Sequence, residues 1–116
     1  MPAGGVRLAH VLVISRFRVS DARADAFRGD LEQVHALLRD RPGYVAGRIG
    51  RNVDVPELWV LTTEWEHVGA YRRALSAFEV KVGAVALLST ALDEPSAYEV
   101  VEPGASLNIQ GTRSIR

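Results

Sequence analysis

At 116 residues the chain has the length of one domain with one core, and an apolar share of 47% beside 24% charged residues excludes a chain too polar to collapse. Lys plus Arg number 14 and Asp plus Glu number 14, so the net charge of zero argues against a partner held by electrostatics alone, whether nucleic acid or an anionic membrane surface. Cysteine is absent, which removes disulfides, thiolate metal sites and a thiol nucleophile together and fits a reducing compartment.

Residues 1–8 read as a leader; Arg7 and His10 interrupt the apolar run that a signal peptide would need. No stretch reaches the ~18 apolar residues of a membrane helix, so a cytoplasmic protein is expected. The foldable domain spans 9–102. Residues 103–116 are polar, with Leu107 and Ile109 as apolar anchors, and read as a tail, either loose or laid on a partner subunit.

Within the domain the hydrophobic period changes in an informative order. Val11, Val13, Ser15, Phe17 and Val19 alternate with Leu12, Ile14, Arg16 and Arg18, which predicts a strand. Ser20 or Asp21 is placed to cap a helix carrying Phe27, Leu31, Val34 and Leu38 at helical spacing, until Arg41-Pro42-Gly43 stops it. Tyr44 to Arg51 predicts a second strand, Asn52 to Pro56 a turn, and Leu58 to Glu66 a third strand with Trp59, Leu61, Thr63 and Trp65 on one face. From His67 a second helical stretch sets Tyr71, Leu75, Phe78, Val82 and Val85 in one stripe, with Ser76 and Gly83 as points where it breaks or bends. Asp93-Glu94-Pro95 ends it, and Ser96 to Val101 predicts a short last strand.

This order, βαββαβ, predicts an α+β ferredoxin-like fold with both helices on one face of the sheet. The bare face would carry Leu12, Ile14, Val60 and Thr62, too apolar for water, so a homodimer through the open sheet face is expected, the two sheets forming a barrel. Arg16 and Glu64 would lie on that inner face, as a buried ion pair or as side chains reaching its rim.

The run Leu58-Trp-Val-Leu-Thr-Thr-Glu-Trp-Glu66, with Arg41-Pro-Gly-Tyr44 before it, resembles the antibiotic biosynthesis monooxygenase family, and Tyr71-Arg-Arg-Ala-Leu75 is similar to the same segment of polyketide anthrone oxygenases. The resemblance covers about Val11 to Val101 and implies a dimeric α+β barrel that oxygenates without a cofactor. In oxygenase members it implies a tryptophan at the end of the third strand, matched by Trp65, and an asparagine on the first strand, where Ser15 stands instead. A serine offers one short-stemmed hydroxyl in place of an amide's two donors and carbonyl. The haem-degrading branch takes a histidine on the second helix as iron ligand. Lys81 or Val82 occupies that place, and of His10, His35 and His67 none lies beyond residue 67, so haem degradation is not expected.

On the residues themselves, the helix-facing side of the sheet offers Ser15, Phe17, Trp59, Leu61, Thr63 and Trp65 against Phe27, Leu31 and Phe78 from the helices. An aromatic-walled space with a few hydroxyls suits a flat hydrophobic aromatic ligand. Trp65 and Ser15 are the candidate catalytic residues, with Trp65 walling the pocket and donating its N–H to a substrate oxygen. His35 is the histidine placed to view the pocket, as a proton relay. Each of these positions equally suits plain core packing, and a binding or regulatory dimer without chemistry remains the alternative. The histidines lack metal spacing, and no phosphate-loop motif is present.

Overall fold

The computed structural model describes residues 8–107; the leader to residue 7 and the tail beyond 107 lie outside the described residues. Strand β1 (Val11–Arg18) leads through a single 3₁₀ turn (Asp21–Arg23) into helix α1 (Ala24–Arg39), followed by β2 (Tyr44–Arg51) and β3 (Leu58–Trp65). The second helical stretch is three pieces, α2 (Val68–Ser76), α3 (Phe78–Gly83) and α4 (Val85–Leu88), before the short β4 (Ala97–Glu99). The strands pair antiparallel in the order β2-β3-β1-β4, the ferredoxin-like arrangement expected from the element order. Among the described residues no helix is long and apolar enough to cross a membrane.

Local chemistry explains each junction. The Asn52 side-chain oxygen accepts from the backbone N–H groups of Asp54 and Val55, an Asx turn that reverses the chain between β2 and β3. The His67 imidazole accepts from the Ala70 N–H and caps α2 in the place a serine or aspartate usually fills. His10 donates from Nδ1 to the Glu66 carbonyl, tying the start of β1 to the end of β3.

The core follows the strand alternation and the stripe of α1. Phe27, Leu31, Val34 and Leu38 are at most 5% exposed and lie over Phe17, Trp59, Leu61, Thr63 and Trp65. Phe17 meets Phe27, and Phe27 meets Trp59 edge-on at 5.6 Å between ring centres.

Two expectations are corrected. The second helical stretch does not keep one apolar face: Phe78 is 76% and Val82 69% exposed, while Ala70, Ala74, Val80 and Ala84 are buried. The cause is Ala77, whose extended backbone (φ −66°, ψ 142°) stops α2 and starts α3 about a new axis, resetting which residues face inward. Arg16 does not pair with Glu64 either. Register sets Glu64 opposite Leu12, and Arg16 instead donates two hydrogen bonds of 2.7 Å to Glu94, on the segment leading into β4.

Gly43 sits at φ +91°, and a Cβ there would collide with the Cβ of Ala70 at the start of α2. Gly43→Ala therefore meets both a left-handed backbone and a steric clash, and is expected to lower the unfolding free energy by about 1–3 kcal/mol in a urea titration. A change near zero would mean that α2 lifts away at no cost.

Candidate functional site

Helix α1 lies against β2 and α3 and fills the β2 side of the sheet with its buried stripe. The other side stays open, because the second helical stretch is broken and β4 is only three residues long. The expected register of β4 is interrupted there: Ile14 donates its N–H to the Ser96 carbonyl, but the Arg16 carbonyl receives the Leu92 N–H, so residues 93–95 bulge away from β1.

Behind this bulge is a cavity of about 760 Å³. Ser15 and Arg16 line it from β1, Tyr71 and Leu75 from α2, Lys81, Val85 and Leu88 from α3 and α4, and Glu94 and Ser96 from the lead-in to β4. Its volume lies within the range of small-molecule sites, roughly 300–1,000 Å³, and its wall is mainly apolar with a few convergent hydroxyls. Burial outweighs the opposing influence of the neighbouring Ser96 hydroxyl and pushes the Tyr71 phenol above its ordinary value. Tyr71 is therefore a protonated donor at neutral pH. The Arg16–Glu94 pair spans the opening from β1 to the bulged segment, and the Arg16 guanidinium holds the Glu94 carboxyl below the usual carboxylate range.

Of the candidate catalytic and substrate-binding residues named from the sequence, Ser15 alone is on this cavity wall. Trp65 stands one layer behind it, 0% exposed, with its ring 5.6 Å from that of Tyr71. Its indole N–H donates to the Thr63 hydroxyl at 2.9 Å, so the bond expected to reach a substrate oxygen is made inside the core. Phe17, Phe27, Leu31, Leu61 and Thr63 are buried core, and Trp59 lies under the Arg51 guanidinium at the β2 side. Phe78 faces outward. His35 is at the β2 edge, across the sheet from the cavity, where Nε2 meets the Tyr44 hydroxyl at 2.7 Å.

The cavity groups outside those candidates are Tyr71, Ser96, Lys81 and the Arg16–Glu94 pair. Tyr71 was legible as part of the α2 stripe. Lys81 is placed by the break at Ala77, and Ser96 and the Arg16–Glu94 pair by the bulge, whose one local signal is Pro95, a residue without a donor for the ladder.

The profile of the antibiotic biosynthesis monooxygenase family matches residues 10–86. The chain belongs to that family. Among solved structures, this monooxygenase-family fold is similar to SnoaB, a cofactor-independent oxygenase from Streptomyces nogalater, at 24% identity over 85% of this chain and 100% of that one, with a TM-score of 0.69. It is also similar to a protein of Mycobacterium tuberculosis, Rv0793, at 17% identity over 82% of this chain and 98% of that one (TM-score 0.64). A conserved protein of Methanosarcina mazei shares 17% identity over 78% and 92% of the two chains (TM-score 0.65). At these identities the likeness concerns the fold. Comparison with curated proteins returns no match.

Burial and the nearby Arg39 charge hold the His35 imidazole below its ordinary pKa of 6.5, so the folded state carries fewer protons there than the unfolded chain. The stability that His35 supports is therefore complete above 6.5 and declines as the pH falls below it. Thermal unfolding followed down through that pH should show a smaller loss in His35→Gln than in the parent; parallel losses would assign the slope to other groups.

Proposed function

We propose that the chain is a homodimeric enzyme that oxygenates an aromatic, phenolic or quinol-type small molecule with dioxygen, without metal, flavin or haem. The observation that carries this reading is the 760 Å³ cavity, in which Ser15, Tyr71 and Ser96 bring hydroxyls to one apolar space. Such a substrate supplies its own electrons. Its phenolate or carbanion form reduces dioxygen, the radical pair combines to a hydroperoxide, and loss of water leaves a carbonyl. The protein's share is to exclude water, orient the substrate and favour its ionised form.

Tyr71 donates a hydrogen bond to a substrate oxygen, and Ser15 holds a second oxygen from the sheet floor. Trp65 positions Tyr71 by packing against its ring. The apolar walls from Leu75, Val85 and Leu88 enclose the rings. The homodimer is supported by the half-buried Leu12, Ile14 and Val60 on the sheet face away from the helices, an apolar surface that a second copy would cover. Its site is a cytoplasmic one on the absence of cysteine.

The second reading is a ligand-binding dimer of the same fold without turnover. It is favoured by the cavity wall itself, which has hydroxyls and the paired Arg16 and Glu94 but no histidine to act as base near neutral pH. Oxygen uptake with dithranol, metal-free and against a buffer blank, separates the two, with light scattering to establish the dimer. The oxygenase reading expects a rate above blank that falls about 10²-fold or more in Tyr71→Phe. Binding of the corresponding anthraquinone with no rate above blank would establish the second reading in its place.

A further inference from the structure

The cavity tyrosine is also the first of a line of oxidisable rings that leads out of the site. Tyr71 and Trp65 lie 5.6 Å apart between ring centres, and Trp65 and Tyr44 lie 5.5 Å apart edge-to-face. Tyr44 ends the line with its hydroxyl 2.7 Å from Nε2 of His35. The chain holds three tyrosines and two tryptophans, so this one line uses two and one of them.

The far end is built around that hydrogen bond. A Cβ at Gly47 would come within 2.6 Å of the Tyr44 hydroxyl and 2.8 Å of His35 Nε2, so the glycine keeps the space in which the two side chains meet. The β2 irregularity between Tyr44 and Ala46 turns the Tyr44 ring toward α1, where His35 stands four residues before Arg39. Of the two partners the phenol is the better donor and the imidazole the better acceptor, so Tyr44 donates. His35 is neutral at physiological pH, since burial and Arg39 both oppose its charged form, and so offers an unprotonated nitrogen to a phenol that becomes strongly acidic once oxidised. Tyr44 is 9% exposed and Trp65 0%, so neither is reached from solvent directly.

We propose that Tyr71, Trp65, Tyr44 and His35 form a relay that carries a one-electron oxidising equivalent out of the cavity to the β2 edge of the sheet. The oxidant is an oxygen-centred radical, of the kind that escapes when a substrate–oxygen radical pair fails to combine. It takes a hydrogen atom from the Tyr71 hydroxyl, leaving a closed-shell O–H product and a Tyr71 phenoxyl. Trp65 returns one electron to Tyr71, which recovers its proton from the cavity, and the indole becomes a radical cation. Tyr44 then gives one electron to Trp65 and passes its phenolic proton along the hydrogen bond to His35. The net result is one electron delivered to the cavity, which itself supplies the proton of the O–H product, and a Tyr44 phenoxyl beside a protonated His35. A thiol in solution resets the pair from the partly exposed His35 side, passing one electron to Tyr44 and leaving as a thiyl radical with loss of its own proton, and His35 hands its proton back to Tyr44. The relay protects the cavity from self-oxidation, a role apart from substrate turnover.

The test needs no turnover. The protein in a Tyr98→Phe background, which removes the half-exposed third tyrosine, is photo-oxidised with anthraquinone-2-sulfonate, freeze-quenched and examined by electron paramagnetic resonance. The expected result is a persistent tyrosyl signal that is lost in Tyr44→Phe, lost from Tyr44 in Trp65→Phe, and shortened in lifetime in His35→Gln. Tyr71→Phe interrupts the line at the cavity end with little change in packing and gives the same loss should Trp65→Phe fold poorly. No tyrosyl signal, one that survives Tyr44→Phe, or one on Tyr44 that forms equally well without Tyr71 or Trp65 would overturn the relay. Failure of dithranol oxidation would leave this experiment's outcome unchanged, so the two proposals fall separately.

Discussion

Complete burial of Trp65 organises the half of the molecule that holds the cavity. A buried indole needs a partner for its N–H, and Thr63, two residues earlier on the same strand and face, supplies it at 2.9 Å. With that bond made, the ring is held edge-on to Tyr44 and against Tyr71. Those two contacts fix where α2 and β2 sit relative to β3. The cavity wall is built on the outer side of Tyr71, and its geometry is inherited from a tryptophan that does not touch it.

A second constraint decides where the fold can be open. Helix α1 spans the sheet with an unbroken stripe of four large apolar side chains and leaves no room beneath it. The other helical stretch is interrupted at Ala77 and again at Ala84, and each piece follows its own direction. Where the helices are short, the adjoining strand is short as well, and residues 93–95 leave the ladder. The ion pair between Arg16 and Glu94 then holds the bulged segment to β1 by two charge-assisted hydrogen bonds in place of the missing backbone pairing.

The strands, α1 and the hairpin turn were legible in the sequence because period and turn chemistry are local. The buried set of α1 is the same four residues that its spacing marks. The site was less legible, for physical reasons visible at single residues. Reading Phe78 as inward assumed that a helix continues through Ala77, and one extended residue is enough to turn that side chain to solvent. His35 was expected to view the pocket, but the sheet order β2-β3-β1-β4 sets β2, which α1 covers, farthest from β4. The Arg16–Glu94 pair joins residues 78 positions apart through a bulge, which no periodicity encodes. Resemblance supplied the family, and the family profile supports it over residues 10–86. Neither locates the cavity, which follows from the broken helix and the short, bulged β4 together.

In the proposed site, ligand binds between β1 and the broken helical stretch, behind the Arg16–Glu94 pair. A crystal structure of the protein with 1,8-dihydroxyanthraquinone tests it most directly. The ring system is expected between Ser15, Leu75 and Leu88, with an oxygen in hydrogen-bond reach of the Tyr71 hydroxyl. A ligand bound instead beside Trp59 or against His35, or an unoccupied cavity in crystals saturated with it, would rule this site out.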